Sequence, residues 1–195
     1  MNLPNKITIS RIILIPFIIF FYLSSGFIFA GKLIAGGLFA IGVLTDFLDG
    51  YLARKNKQIT LLGTFLDSIA DKMFVIAGFV LVVADGTIAN PFGVIALVIV
   101  ISRELLVSAL RQLGAGKNVI ISADMWGKVK ASVQFVALVL FMIYSFFLDN
   151  VSTFGQTMST IFSVVCYVSL FVTVFCTILS GLHYLIKYKE VFKEN

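Results

Sequence analysis

The chain has 195 residues, of which 59% are hydrophobic and only 13% charged. Soluble domains average roughly 25% charged residues, so composition excludes a soluble globular protein and leaves little room for a large domain outside the bilayer. A mean hydropathy of +1.04 points to an all-α integral membrane protein, read here as one domain over 1–195, with a net charge of +5 and no nucleic-acid partner expected.

At about 20 residues per span, hydropathy predicts six transmembrane helices, near 9–29, 33–54, 60–83, 91–113, 123–148 and 158–186. Pro4 and its polar neighbours suggest a short N-terminal interfacial helix ahead of the first. Lys6 and Arg11 before an apolar run could mark a signal peptide, but no small-residue cleavage site follows, so the segment reads as a retained span. Six spans place both termini on one side. Almost all basic residues fall there, from Arg54 and Lys55 to Lys187 and Lys189, and Lys32 alone falls on the other. The positive-inside rule makes the basic side cytoplasmic.

The second and third spans hold the least expected residues. Asp46, Asp49, Asp67 and Asp71 lie in the string DFLDGYLARKNKQITLLGTFLDSIAD. A carboxylate at the centre of a span costs about 2.5–3.5 kcal/mol on insertion scales, and such residues usually have a function. A short joint from Lys55 to Ile59 makes the two spans an antiparallel hairpin. Counting inward from that joint puts Asp46 level with Asp71 and Asp49 level with Asp67, roughly 8–16 Å below the helix ends. Spacings of i, i+3 and i, i+4 put each pair on one stripe. Gly50, Ala53 and Gly63 lie on the same stripes and would let a ligand approach the backbone, with Arg54 at the mouth. Four carboxylates this close need a cation to stay ionised. All-oxygen donors favour Mg²⁺ or Mn²⁺, and two such ions are a standard device for displacement at phosphorus.

This string resembles the complete signature of the CDP-alcohol phosphotransferases. Asp46-x2-Asp49-Gly50-x2-Ala53-Arg54-x8-Gly63-x3-Asp67-x3-Asp71 matches at every position, spacing included. The resemblance implies transfer of a phosphatidyl or phosphoalcohol group from a CDP-linked donor to an acceptor hydroxyl, with CMP leaving. It implies that Asp46, Asp49 and Asp67 hold the metals, and that Asp71 is both ligand and general base. Gly50, Ala53 and Arg54 would meet the cytidine nucleotide, with Thr60 as a further contact.

The fourth span carries Arg103, Glu104, Ser108 and Arg111, and the fifth opens with Lys128 and Lys130. Cations around an acidic metal site suggest an anionic acceptor, most simply a phosphorylated polyol. Lys117 and Lys130 read instead as topogenic or snorkelling charge. NLPNKITISR, SRELLVSALRQLGA and DMWGKVKAS resemble the bacterial branch of the family that condenses CDP-diacylglycerol with sn-glycerol 3-phosphate. By that resemblance Asn5, Thr8, Arg11, Arg103, Arg111 and Lys128 would serve the acceptor phosphate. Ala131 departs from it, since relatives often carry a hydroxyl there. The resemblance further implies a homodimer in a bacterial cytoplasmic (inner) membrane. Branches making phosphatidylinositol phosphate, phosphatidylserine or cardiolipin are the alternatives, and a cation or proton transporter is a remote one.

In the sixth span Cys166 and Cys176 read as packing residues. His183, Tyr184 and Tyr188, together with Trp126, fit an interfacial belt.

Overall fold

The computed structural model describes residues 3–56, 61–116, 121 and 124–189, and for 3–7, 46–56, 61–62, 64 and 116 the backbone alone. Among the described residues every regular element is helical. They are α1 (Leu3–Leu23), a 3-10 turn (Ser24–Gly26), α2 (Gly31–Asn56), α3 (Leu61–Ala84), α4 (Phe92–Gly116), α5 (Met125–Asp149), the single turn α6 (Val151–Phe154) and α7 (Gln156–Lys187).

The long helices fall where hydropathy puts them. Among the described residues four segments are long and apolar enough to cross a membrane: Thr8–Gly26, Phe92–Ala115, Met125–Asp149 and Gln156–Lys187. The apolar part of α2 is the shorter stretch Gly31–Thr45. α3 is interrupted by Asp67, Asp71 and Lys72. The expected interfacial helix is not a separate element. α1 runs unbroken from Leu3, because Pro4 falls in its first turn, where a missing N–H costs nothing. The helix also stops six residues earlier than expected, at the Ser24–Gly26 turn.

In lipid, apolar burial gives helices little reason to associate, so close packing and polar contacts carry the bundle. α1 packs against both α2 and α3. Its buried stripe is Thr8, Arg11, Ile15, Ile18 and Tyr22, alternating three and four residues apart as a single helix face requires. α5 is the most enclosed of the four candidate spans, with 44% of its apolar window buried, and so forms the centre on which α2, α3 and α7 pack. Outward faces are apolar, with Phe17, Phe20, Val98, Phe171 and Phe175 all more than half exposed, as lipid-facing residues should be.

α2 and α3 meet through stacked rings. Phe39 and Phe74 lie 4.5 Å apart at an interplanar angle of 23°. Gly42 makes room for this: a Cβ there would stand 2.3 Å from the Phe74 ring. The side chains of Asp46 and Asp49 lie outside the described residues.

The end of the bundle away from the joint is tied by a buried polar cluster. Lys32, only 4% exposed, reaches Asp85 at 3.0 Å and Asp149 at 2.7 Å. The Asp85 Oδ2 also accepts from Thr87 at 2.6 Å, Ser145 at 2.6 Å and Tyr22 at 3.0 Å. Burial alone would push the Asp85 carboxyl up, but hydrogen bonds from Ser145, Thr87 and Lys32 and the Lys32 charge outweigh it and hold it below its ordinary value. Three helices, α1, α2 and α5, and the α3–α4 connection are joined at this point. Cys166 and Cys176 are free thiols in α7, as packing residues should be.

Candidate active site

The site is built at the opposite end, where the first half of α3 faces α1, α4 and α5. Asp67 and Asp71, one turn apart, present both carboxylates to one side of α3. Arg11 approaches from α1 and is 1% exposed. Its Nη1 donates to the Asp71 Oδ1 at 2.5 Å and its Nη2 to the Asp67 Oδ1 at 3.2 Å. Arg11, which the resemblance assigns to an acceptor phosphate, thus has its guanidinium against the two carboxylates. Thr8, buried one turn away on α1, does not line the two cavities described next.

Asp67 and Asp71 remain 46% and 43% exposed at their side chains, open towards the adjoining space. That space is a pair of contiguous cavities of about 270 Å³ each. Both are lined by Asp71, Lys72, Arg103, Glu104 and Arg111. The acidic stripe of α3 and the basic residues of α4 and α5 therefore form two walls of one cleft, with Asp71 common to both parts.

The basic wall is more ordered than topogenic charge needs. Lys130 is 2% exposed and ion-paired to Glu104, so the expectation that it snorkels is wrong. Its ammonium is taken up by Glu104 on α4, which faces it across the cleft. Arg103 donates to the Ser180 Oγ at 2.6 Å and lies 3.5 Å from Glu104. Tyr184, expected in an interfacial belt, is fully buried. Its ring lies under Arg103 and Arg111, at 5.7 and 6.0 Å, and its hydroxyl accepts from the Arg111 Nη2 at 3.4 Å and the Asp124 N–H at 3.0 Å. A tyrosine serves here because it offers an aromatic face to cations and a polar tip at once. Lys128 is exposed and lines the same cavity, and so does Ala131. At the rim, Asp124 binds Lys187 at 2.8 Å and His183 at 3.1 Å. The Lys187 hydrogen bond, ahead of all else, holds the Asp124 carboxyl below its usual range.

Gln134 is the residue that the sequence reading missed. It lies on α5 one turn beyond Lys130, is 0% exposed and lines the cavity. Neither its Oε1 nor its Nε2 has a hydrogen-bond partner among the described residues. Each such buried unpaired group costs about 1–3 kcal/mol. The signal available was one amide inside the apolar run SVQFVALVL.

Thr60, Lys117 and the side chains of Asn5, Asp46, Asp49, Gly50, Ala53 and Arg54 lie outside the described residues. The described donors fit a hard cation: two carboxylates one helical turn apart, half open, with the Arg11 guanidinium against them.

Comparison with known proteins decides the family. The CDP-alcohol phosphatidyltransferase family model matches residues 1–178. The chain belongs to that family. It is an enzyme of the phosphatidyltransferase type. Among its relatives, a Bacillus subtilis protein is 35% identical over 207 aligned positions, covering 100% of this chain and 98% of the relative. A Haemophilus influenzae protein is 45% identical over 141 residues, covering 70% of this chain and 73% of the relative. A Pseudomonas fluorescens protein is 38% identical over 151, covering 73% and 72%. All three bear the name CDP-diacylglycerol–glycerol-3-phosphate 3-phosphatidyltransferase. The family resemblance carried by the aspartate string is thus correct, and these relatives belong to the branch that the flanking motifs resemble.

Proposed function

We propose that this family member transfers the phosphatidyl group of CDP-diacylglycerol to sn-glycerol 3-phosphate, giving phosphatidylglycerophosphate and CMP. The observation that carries this reading is Asp71, which stands in one cleft with both a second carboxylate and a wall of cations. An acceptor with a hydroxyl at one end and a phosphate at the other matches the two walls.

In this reading Asp71 accepts the proton of the acceptor's primary hydroxyl. That oxygen attacks the phosphorus bearing diacylglycerol, the bond to the CMP oxygen breaks, and CMP departs with the electron pair. A general base of this kind contributes about 10²–10⁴-fold. Arg11 orients Asp67 and Asp71, while Arg103, Arg111 and Lys128 receive the acceptor phosphate, with Thr8 behind Arg11 on α1. Gly50, Ala53, Arg54 and Thr60 meet the cytidine end of the donor. Asp46, Asp49, Asp67 and Asp71 would hold Mg²⁺ or Mn²⁺, two ions in all, which supply charge neutralisation at the pyrophosphate.

The enzyme sits in the bacterial cytoplasmic membrane as six spans, α2 and α3 crossing with the other four, and works as a homodimer with its cleft and both termini in the cytoplasm. The strong bias of basic residues to the cleft end supports that orientation. A cleft near one end of the bundle also suits a lipid donor better than a midplane transport site.

Purified protein given CDP-diacylglycerol, sn-glycerol 3-phosphate and Mg²⁺ should release CMP. Release that required inositol phosphate or serine instead would overturn the acceptor assignment.

A further inference from the structure

Gln134 is a polar group of the cleft that the reaction above leaves without work. Gln134 is wholly buried, lines the cavity beyond Asp71 and Lys130, and has both ends of its amide unpartnered among the described residues. Buried polar groups are nearly always paired in native structures, and an exception calls for a ligand or another explanation.

The chemistry of the acceptor leaves one group over as well. In sn-glycerol 3-phosphate the phosphate faces the cations and the primary hydroxyl faces Asp71, so the secondary hydroxyl remains. A hydroxyl both donates and accepts, and a carboxamide does the same. Neither a lysine nor a carboxylate offers both in one neutral side chain. The surroundings of Gln134 point the same way. Val75 and Phe135 line the cavity beside it, and Leu138, one turn further along α5, is fully buried. Water is therefore a poor competitor on that side, and a single hydrogen bond gains weight.

We infer that Gln134 is a specificity-determining residue that binds the secondary hydroxyl of the acceptor and so selects a vicinal polyol phosphate over a simple alkanol phosphate. This rests on the reaction proposed above, and the two can fail separately.

The test compares two acceptors, sn-glycerol 3-phosphate and 3-hydroxypropyl phosphate, which lacks only the secondary hydroxyl. CMP release is measured with full-length protein and Mg²⁺. Wild-type kcat/KM should favour the glycerol compound by about tenfold or more, the worth of one uncharged hydrogen bond in a dry pocket. In Gln134→Leu that preference should shrink by the same factor, with the glycerol compound losing more than its analogue. A preference absent in wild-type protein, or losses equal for the two acceptors, would overturn the role of Gln134. The wild-type comparison stands even if Gln134→Leu folds poorly. No CMP release by wild-type protein with sn-glycerol 3-phosphate would instead remove the reaction on which the inference depends.

Discussion

Arg11 of α1 binds Asp71 of α3 at 2.5 Å across sixty positions of sequence, and the same guanidinium holds Asp67. One cation thus orders two carboxylates that repel each other. Removing it takes that compensation away, and a divalent ion would take up part of the charge. We expect Arg11→Gln to lower the melting temperature more in EDTA than in millimolar Mg²⁺, measured by thermal unfolding in detergent. A fall of the same size in both conditions would count against cation binding at these carboxylates.

Asp71→Asn keeps the shape of the side chain and removes its basicity. CMP release should fall by about 10²–10⁴-fold, the range of a lost general base. Activity within tenfold of wild type would remove Asp71 from the proton transfer.

Glu104 and Lys130 form a buried ion pair between α4 and α5. Breaking such a pair from one side costs about 3–5 kcal/mol, whereas replacing both partners by apolar groups is often neutral. Glu104→Gln and Lys130→Met should each destabilise strongly, and the double substitution by much less than their sum. Strict additivity in the thermal stabilities would show that the two are not coupled.

The outer cluster gives a pH dependence of known sign. Asp85 has its carboxyl held below the ordinary value by Ser145, Thr87 and Lys32, against the effect of burial. A depressed carboxyl stabilises the fold at pH above its unfolded value of about 3.9, and that contribution disappears as pH falls through the folded value. Thermal stability should therefore drop below about pH 4, and Asp85→Asn should lower stability at neutral pH and flatten the acid limb. An unchanged acid limb in the variant would place the titration elsewhere.

Gly42 tests the register. A Cβ 2.3 Å from the Phe74 ring cannot be accommodated by a ring already stacked on Phe39. Overpacking of this kind costs about 1–3 kcal/mol. Gly42→Val should destabilise by that order, and Phe74→Leu in the same chain should recover part of the loss.

Much of the site was legible because the residues that build it are improbable where they stand. Aspartates in an apolar run carry a large penalty, so Asp67 and Asp71 announce themselves, and their spacing fixes a shared face. Most helix positions were legible from hydropathy alone, but α1 was not: Pro4 reads as a break yet sits harmlessly in a first turn, and the helix ends early at the Ser24–Gly26 turn. Tyr184 and Lys130 were not legible, because their burial depends on Arg103, Arg111 and Glu104 arriving from α4. Nothing in a one-dimensional pattern separates a tyrosine at the membrane surface from one beneath two arginines. Gln134 escaped for the opposite reason: a single neutral amide in an apolar helix carries too small a penalty to stand out.

The stripe on α1 has one more consequence. Arg11 and Tyr22 occupy the same face, eleven residues and about 16 Å apart along the axis, and each is bonded at a different end of the molecule. α1 therefore behaves as a keyed shaft whose two teeth engage separate locks. One residue inserted between them would turn the far tooth by about 100°, so whichever end stayed seated, the other would disengage. This stretch should tolerate many substitutions on its outward face and no change of length.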